Sequence, residues 1–241
     1  MSDATSAGAA PRPTPVPIVA LDVPAAAPAL SLVRTLGDAC RFYKIGLELF
    51  TAEGPAVVRA VRDGGNDVFL DLKFHDIPNT VRGATRSAAS LGARLLTVHG
   101  SGGRAMLEAA VEGAGQGCGV LAVTVLTSMD AAGQAAAWGR SQMTVRDEVL
   151  RLADLARAAG AHGIVCSGEE AAAVRERHGD ALRLLVPGIR LAGGATHDQA
   201  RVVTPAAAAA AGASYLVLGR AVTGAADPRS AMAEVAAQLR H

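Results

Sequence analysis

Cysteine, aromatic surface and net charge are all scarce in this chain, and each shortage excludes something. The three cysteines, Cys40, Cys118 and Cys166, are odd in number and widely spaced. That excludes a framework of paired disulfides and a cysteine-type zinc site, and it points to a reducing compartment. Lys plus Arg is 23 against 22 for Asp plus Glu, a formal charge of +1, so no global field draws nucleic acid or anionic lipid. A phosphate bound here must be held by a local site. The longest weakly polar run, AAAAAAGASYLVLG, falls short of the roughly 18 residues a membrane-spanning helix needs. A secretory signal is not expected either, because Asp3 and a series of prolines occupy the span where its apolar stretch belongs. The expectation is a soluble, cytoplasmic protein.

What is present is enough aliphatic side chain for one large core: 241 residues, 50% apolar, 19% charged and only 3% aromatic. Disordered, collagen-like and coiled-coil chains do not have this balance. Residues 1–16, rich in Pro, Ala, Ser and Thr, read as a disordered tail, and 17–241 as a single domain. Eight short aliphatic runs recur along that domain: PIVALD (17–22), RFYKIG (41–46), DVFLDLK (67–73), RLLTVH (94–99), GVLAVTVLT (119–127), AHGIVCS (161–167), LRLLVPGIR (182–190) and ASYLVLGR (213–220). Most are continuous rather than alternating, as in strands covered on both faces. Stretches of helical period separate them, among them NTVRGATRSAASLG, TVRDEVLRLADLARAAG and DQARVVTPAAAAAAG. Eight βα units predict an α/β chain closing into a (β/α)8 TIM barrel, with an open doubly wound sheet as the alternative.

Chemistry in such a barrel lies at the C-terminal ends of the strands. Those ends are polar here: Asp22, Lys44, Asp71 with Lys73, then His75 and Asp76, His99, Thr127 with Ser128, Ser167, Arg190, and Gly219 with Arg220. Asp71 and Lys73 are two apart on a strand and so share a face. Lys44, Asp71, Lys73 and Asp76 together form an array of zero net charge. Its plain interpretation is a buried ion-pair network that only positions loops; its chemical one is a catalytic group. His75 and His99 have no third ligand at metal spacing and read as packing residues, while His162 and His178 look solvated. Trp138 reads as the anchor of its loop, and Cys166 as a small core residue.

The segment DVFLDLKFHDIPNTV, residues 67–81, resembles the active-site stretch of the orotidine 5′-phosphate decarboxylases. Further matches fall in that family's order: ALD around Asp22, FYKIGLELF around Lys44, VTVLTSM around Thr127, VPGIR around Arg190, DQAR around Gln199 and LVLGRAVTGAADP around Arg220. The resemblance implies a homodimeric barrel converting orotidine 5′-monophosphate to UMP and CO2 in pyrimidine biosynthesis, with no cofactor and no metal. It implies that Lys73 is the proton donor, that Asp71 lies beside the departing carboxylate, and that Lys44 and Asp76 complete the charge network. Asp22, Lys44, Asp76 and Thr80 then belong near the ribose, with Asp76 and Thr80 reaching in from the partner subunit. Thr127 and Ser128 meet the pyrimidine edge, and Arg190, Gln199, Gly219 and Arg220 the phosphate. The loop 191–200 departs from the expected pattern in carrying His197. The nearest alternative is a related magnesium-using barrel acting on sugar phosphates, but such relatives carry a carboxylate ligand at the end of strand 2, where this chain has Lys44. A silent nucleotide-binding barrel is a further alternative, and it is expected to lack one of the four charges.

Overall fold

The aliphatic runs become eight parallel strands in a computed structural model, which describes residues 13–139, 144–191 and 202–240. They are β1 (Val16–Ala20), β2 (Phe42–Gly46), β3 (Asp67–Phe74), β4 (Leu95–His99), β5 (Gly119–Val123), β6 (Gly163–Val165), β7 (Arg183–Val186) and β8 (Tyr215–Leu218). Each pairs with the next, and β8 returns to β1 with Val16 beside Tyr215, closing the barrel in chain order. The (β/α)8 barrel is therefore the fold, and the open sheet is excluded. β1 opens at Val16, one residue before the expected domain boundary.

Side-chain alternation divides the core into two shells. One face of the strands supplies Ile18, Ala20, Phe42, Phe69, Leu95, Leu121, Leu185 and Val217, a compact cluster inside the barrel. The other face packs a larger shell, with Tyr43, Ile45, Leu70 and Leu96 among its members, beneath the surrounding helices. Two residues beyond Phe42 on the same face stands Lys44, two beyond Phe69 stands Asp71, and two beyond Leu95 stands Thr97. The apolar filling of the barrel thus gives way, in register, to the polar side chains of its C-terminal mouth.

Among the described residues there are eleven α-helices: α1 (Ala26–Leu36), α2 (Leu47–Glu53), α3 (Pro55–Asp63), α4 (Pro78–Ser90), α5 (Arg104–Ala114), α6 (Ala131–Trp138), α7 (Val145–Ala158), α8 (Gly168–His178), α9 (Pro205–Ala210), α10 (Arg220–Thr223) and α11 (Pro228–Gln238). The sequence pattern corresponds to eight of them; α2, α6 and α10 were not anticipated. The expected long helix through DQARVVTPAAAAAAG shortens to α9, whose Thr204 cap accepts a hydrogen bond from Ala207 N–H ahead of Pro205 at the helix start. Val203 pairs instead with Ile189 in an isolated bridge. Strands β1, β5, β6, β7 and β8 stop short of the C-terminal ends of their predicted runs. After β7 the chain meets Pro187, which has no N–H to donate, and then Gly188 at a φ of 75°.

Candidate active site

The three free cysteines are all buried, and the described residues contain no group of three or more His, Cys, Asp or Glu able to hold a metal ion. The polar groups that do converge lie at the C-terminal mouth. They line a cavity of about 510 Å³, within the range of small-molecule sites. Its lining includes Asp22, Lys44, Asp71 and Lys73 from the first three βα units and Arg190, Gly219, Arg220 and Thr223 from the last two. An apolar surface made by Phe69, Val123, Val165, Leu185 and Val217 completes it. This surface was missed from the sequence, where each of its residues reads as ordinary strand filling.

The charges alternate along a chain of contacts. Lys44 Nζ donates to Asp22 Oδ1 at 2.6 Å and faces Asp71 Oδ2 at 3.7 Å. Lys73 Nζ donates to Asp71 Oδ1 at 2.8 Å. Burial pushes the Asp71 carboxyl up, but the Lys44 and Lys73 ammoniums, with hydrogen bonds from Lys73 and Thr97, overcome it and hold the group below its ordinary range. Asp71 therefore stays a carboxylate between two cations. Lys44 is buried and Asp22 largely exposed, so the array runs from the solvent rim into the barrel.

Strand β3 does not stay regular through the site. Leu70 pairs with Leu96 and Phe74 with Val98, so Asp71, Leu72 and Lys73 stand opposite Thr97 alone. The extra residues make a bulge, and Lys73 takes a left-handed backbone at φ 48°, the only such non-glycine residue described. A side chain holds that conformation at a cost of order 1–3 kcal/mol. The surroundings supply the compensation: Lys73 N–H donates to Thr97 Oγ1 at 2.9 Å, and Thr97 Oγ1 donates to Asp71 Oδ1 at 3.0 Å.

Asp76 does not join the Lys44–Asp71–Lys73 network. It is exposed on the turn after β3, accepts from the Ile77 N–H at 2.6 Å, and lines a separate shallow hollow with His75, Ile77, Pro78 and Gly102. The fourth charge within one chain is Asp22. Thr80 is likewise exposed, on the first turn of α4. Thr127 lines the cavity, while its neighbour Ser128 is exposed outside that lining. Gln199 and His197 lie outside the described residues.

His75 and His99 lie with ring centres 5.4 Å apart and planes tilted by 37°; burial, then His75 and Lys73, lower the His99 pKa. Trp138 ends α6, half-buried against the core. The two histidines expected to be solvated differ. His162 is exposed, with its Nε2 3.0 Å from the Tyr215 hydroxyl. His178 is buried, its Nε2 3.2 Å from Asp154, because the last turn of α8 packs back on α7.

The sequence model of the orotidine 5′-phosphate decarboxylase / HUMPS family matches residues 15–235. A protein of Anaeromyxobacter sp. (strain K) named orotidine 5′-phosphate decarboxylase is 55% identical over 220 residues, covering 91% of this chain and 96% of its own. One of the same name from Halorhodospira halophila is 51% identical over 230 residues, covering 92% and 94%. Among solved structures, orotidine 5′-phosphate decarboxylase from Lactobacillus acidophilus superimposes with a TM-score of 0.83 at 35% identity, covering 95% of this chain and all of that one. With the barrel closed in family order and the match running nearly end to end, the chain belongs to the orotidine 5′-phosphate decarboxylase / HUMPS family.

Proposed function

We propose that this protein decarboxylates orotidine 5′-monophosphate to UMP and CO2 in pyrimidine biosynthesis, without metal or cofactor. The observation that carries the reading is the Lys44–Asp71–Lys73 array set in a cavity that Arg190 and Arg220 also line. The magnesium-using branch of the family fits poorly, because Lys44 brings a cation to the end of β2 where those relatives bring a carboxylate. The free, buried cysteines and the lack of any membrane-spanning helix among the described residues support a cytoplasmic location.

Breaking the bond from C6 to the carboxylate leaves an electron pair in the plane of the ring, which the π system cannot delocalise. Stabilisation must therefore come from fixed charge and a ready proton. In this reading Lys73 supplies both: its ammonium faces the developing carbanion, then gives C6 a proton, and the resulting amine regains one from water. An arginine would hold its proton too tightly. Asp71 stands beside the substrate carboxylate, where two unit charges about 4 Å apart repel by roughly 4 kcal/mol at an effective dielectric near 20. That repulsion disappears when CO2 leaves neutral.

Lys44 and Asp22 bind the ribose, Thr127 and Ser128 the pyrimidine edge, and Arg190, Gln199, Gly219 and Arg220 the phosphate. We further propose a homodimer in which Asp76 and Thr80 serve the partner's site. Their exposure beside Ile77, itself 67% exposed, supports this. The N-terminal segment ahead of Val16, where β1 begins, completes the proposal as a tail outside the barrel.

The test is Lys73→Ala. Turnover is expected to fall by at least about a thousandfold, within the range that general acid catalysis contributes, while UMP still binds. Turnover near that of the unmodified protein would remove Lys73 from the donor role.

A further inference from the structure

We propose that Thr97 is a positioning residue for the reaction: its one hydroxyl couples the orientation of the Asp71 carboxylate to the backbone that launches the Lys73 ammonium. The inference rests on the decarboxylase reading and deepens it. Thr97 is fully buried in β4, and its Oγ1 makes two hydrogen bonds whose directions are forced. The Lys73 amide can only donate, so the threonine oxygen accepts there, at 2.9 Å. The single hydroxyl proton is then left for Asp71 Oδ1, at 3.0 Å. That same carboxylate oxygen receives Lys73 Nζ at 2.8 Å. The result is a closed loop of three contacts among three residues.

The loop exists because β3 bulges. Thr97 stands alone opposite three residues of β3, and the left-handed Lys73 turns its amide toward the threonine rather than into regular strand pairing. Take away the hydroxyl and two groups lose their partner together: a backbone N–H beside a buried position, and one oxygen of the central carboxylate. Either loss permits the bulge to relax, which moves the root of the lysine relative to the reacting carbon. Misplacement of a reacting group by about 1 Å costs on the order of a hundredfold in rate. Arg190 and Arg220, proposed for the phosphate, are not members of this loop, so ground-state affinity is expected to stay.

The experiment compares Thr97→Val, which keeps the shape and removes the oxygen, with Thr97→Ser, which keeps the oxygen. Turnover of orotidine 5′-monophosphate and affinity for UMP are measured for both and for the unmodified protein, and folding is checked by thermal melting. Thr97→Val is expected to lower kcat by about 30- to 100-fold, with UMP affinity within about threefold and Thr97→Ser close to unmodified. The inference is overturned if Thr97→Val keeps its kcat, if UMP affinity falls in step with kcat, or if Thr97→Ser is as impaired as Thr97→Val. Should Thr97→Val not fold, Thr97→Ala is read in its place by the same criteria. An unmodified protein that does not turn over the substrate would defeat the decarboxylase reading instead, so the two failures are distinguishable.

Discussion

Asp71 and Lys73 meet at 2.8 Å across a stretch of strand that is no longer regular, Lys73 itself being turned into a left-handed backbone. Their shared face follows from the alternation of a strand. The closeness of the contact follows from the bulge, which also brings Thr97 against both. Lys73 holds a strained left-handed backbone and Asp71 is a buried carboxylate between two cations, a concentration of unusual features that makes the barrel mouth the candidate site.

The pH dependence of stability should carry the signature of Asp71. Its folded pKa lies below the unfolded value of about 3.9, so between the two values the unfolded chain binds more protons and stability rises with pH. The stabilisation is complete above about pH 4 and is lost as pH falls through the folded value. Comparing the unmodified protein with Asp71→Asn in denaturant from pH 7 downward, the stability gap should be constant to about pH 4 and shrink below it. A gap that shrinks between pH 7 and 5 would place the titrating group elsewhere.

Arg220→Ala should weaken UMP binding by about 10- to 100-fold, the loss expected for charge-assisted hydrogen bonds of roughly 1.5–3 kcal/mol. Affinity for uridine, which lacks the phosphate, should change little. Equal losses for both ligands, or none for UMP, would mean that the phosphate lies away from Arg220.

Subunit mixing tests the shared site. Lys73→Ala and Asp76→Asn proteins, each inactive alone, are unfolded and refolded together in equal amounts. If Asp76 serves the partner, half the dimers are mixed and each mixed dimer has one intact site, so activity should return to about one quarter of the unmodified value. No recovery in demonstrated mixed dimers would contradict the sharing.

The sequence exposes the strands because parallel strands covered on both faces are continuous aliphatic runs, and it exposes Lys44, Asp71 and Lys73 because ions stand out within them. Thr97 stays hidden for the opposite reason. A threonine in the strand segment LLTVH is ordinary, and only the bulge opposite gives its hydroxyl two partners. Helix α6 was missed because AAGQAAAW has no apolar period to follow. Helix α10 begins on Arg220, the last residue of the predicted eighth strand, and a single turn through Thr223 leaves no composition signal of its own. The displacement of Asp76 out of its own site follows from the turn after β3, which spacing along the chain shows only as three residues.

Cofactor-free decarboxylation at the Lys44–Asp71–Lys73 array is open to a single assay. Purified full-length protein is incubated with orotidine 5′-monophosphate in excess chelator while the substrate's absorbance and the release of CO2 are followed. Absorbance should fall steadily with one UMP and one CO2 formed per substrate consumed, at a rate unchanged when magnesium is added. Absence of turnover, or turnover that appears only with added magnesium, would rule that chemistry out.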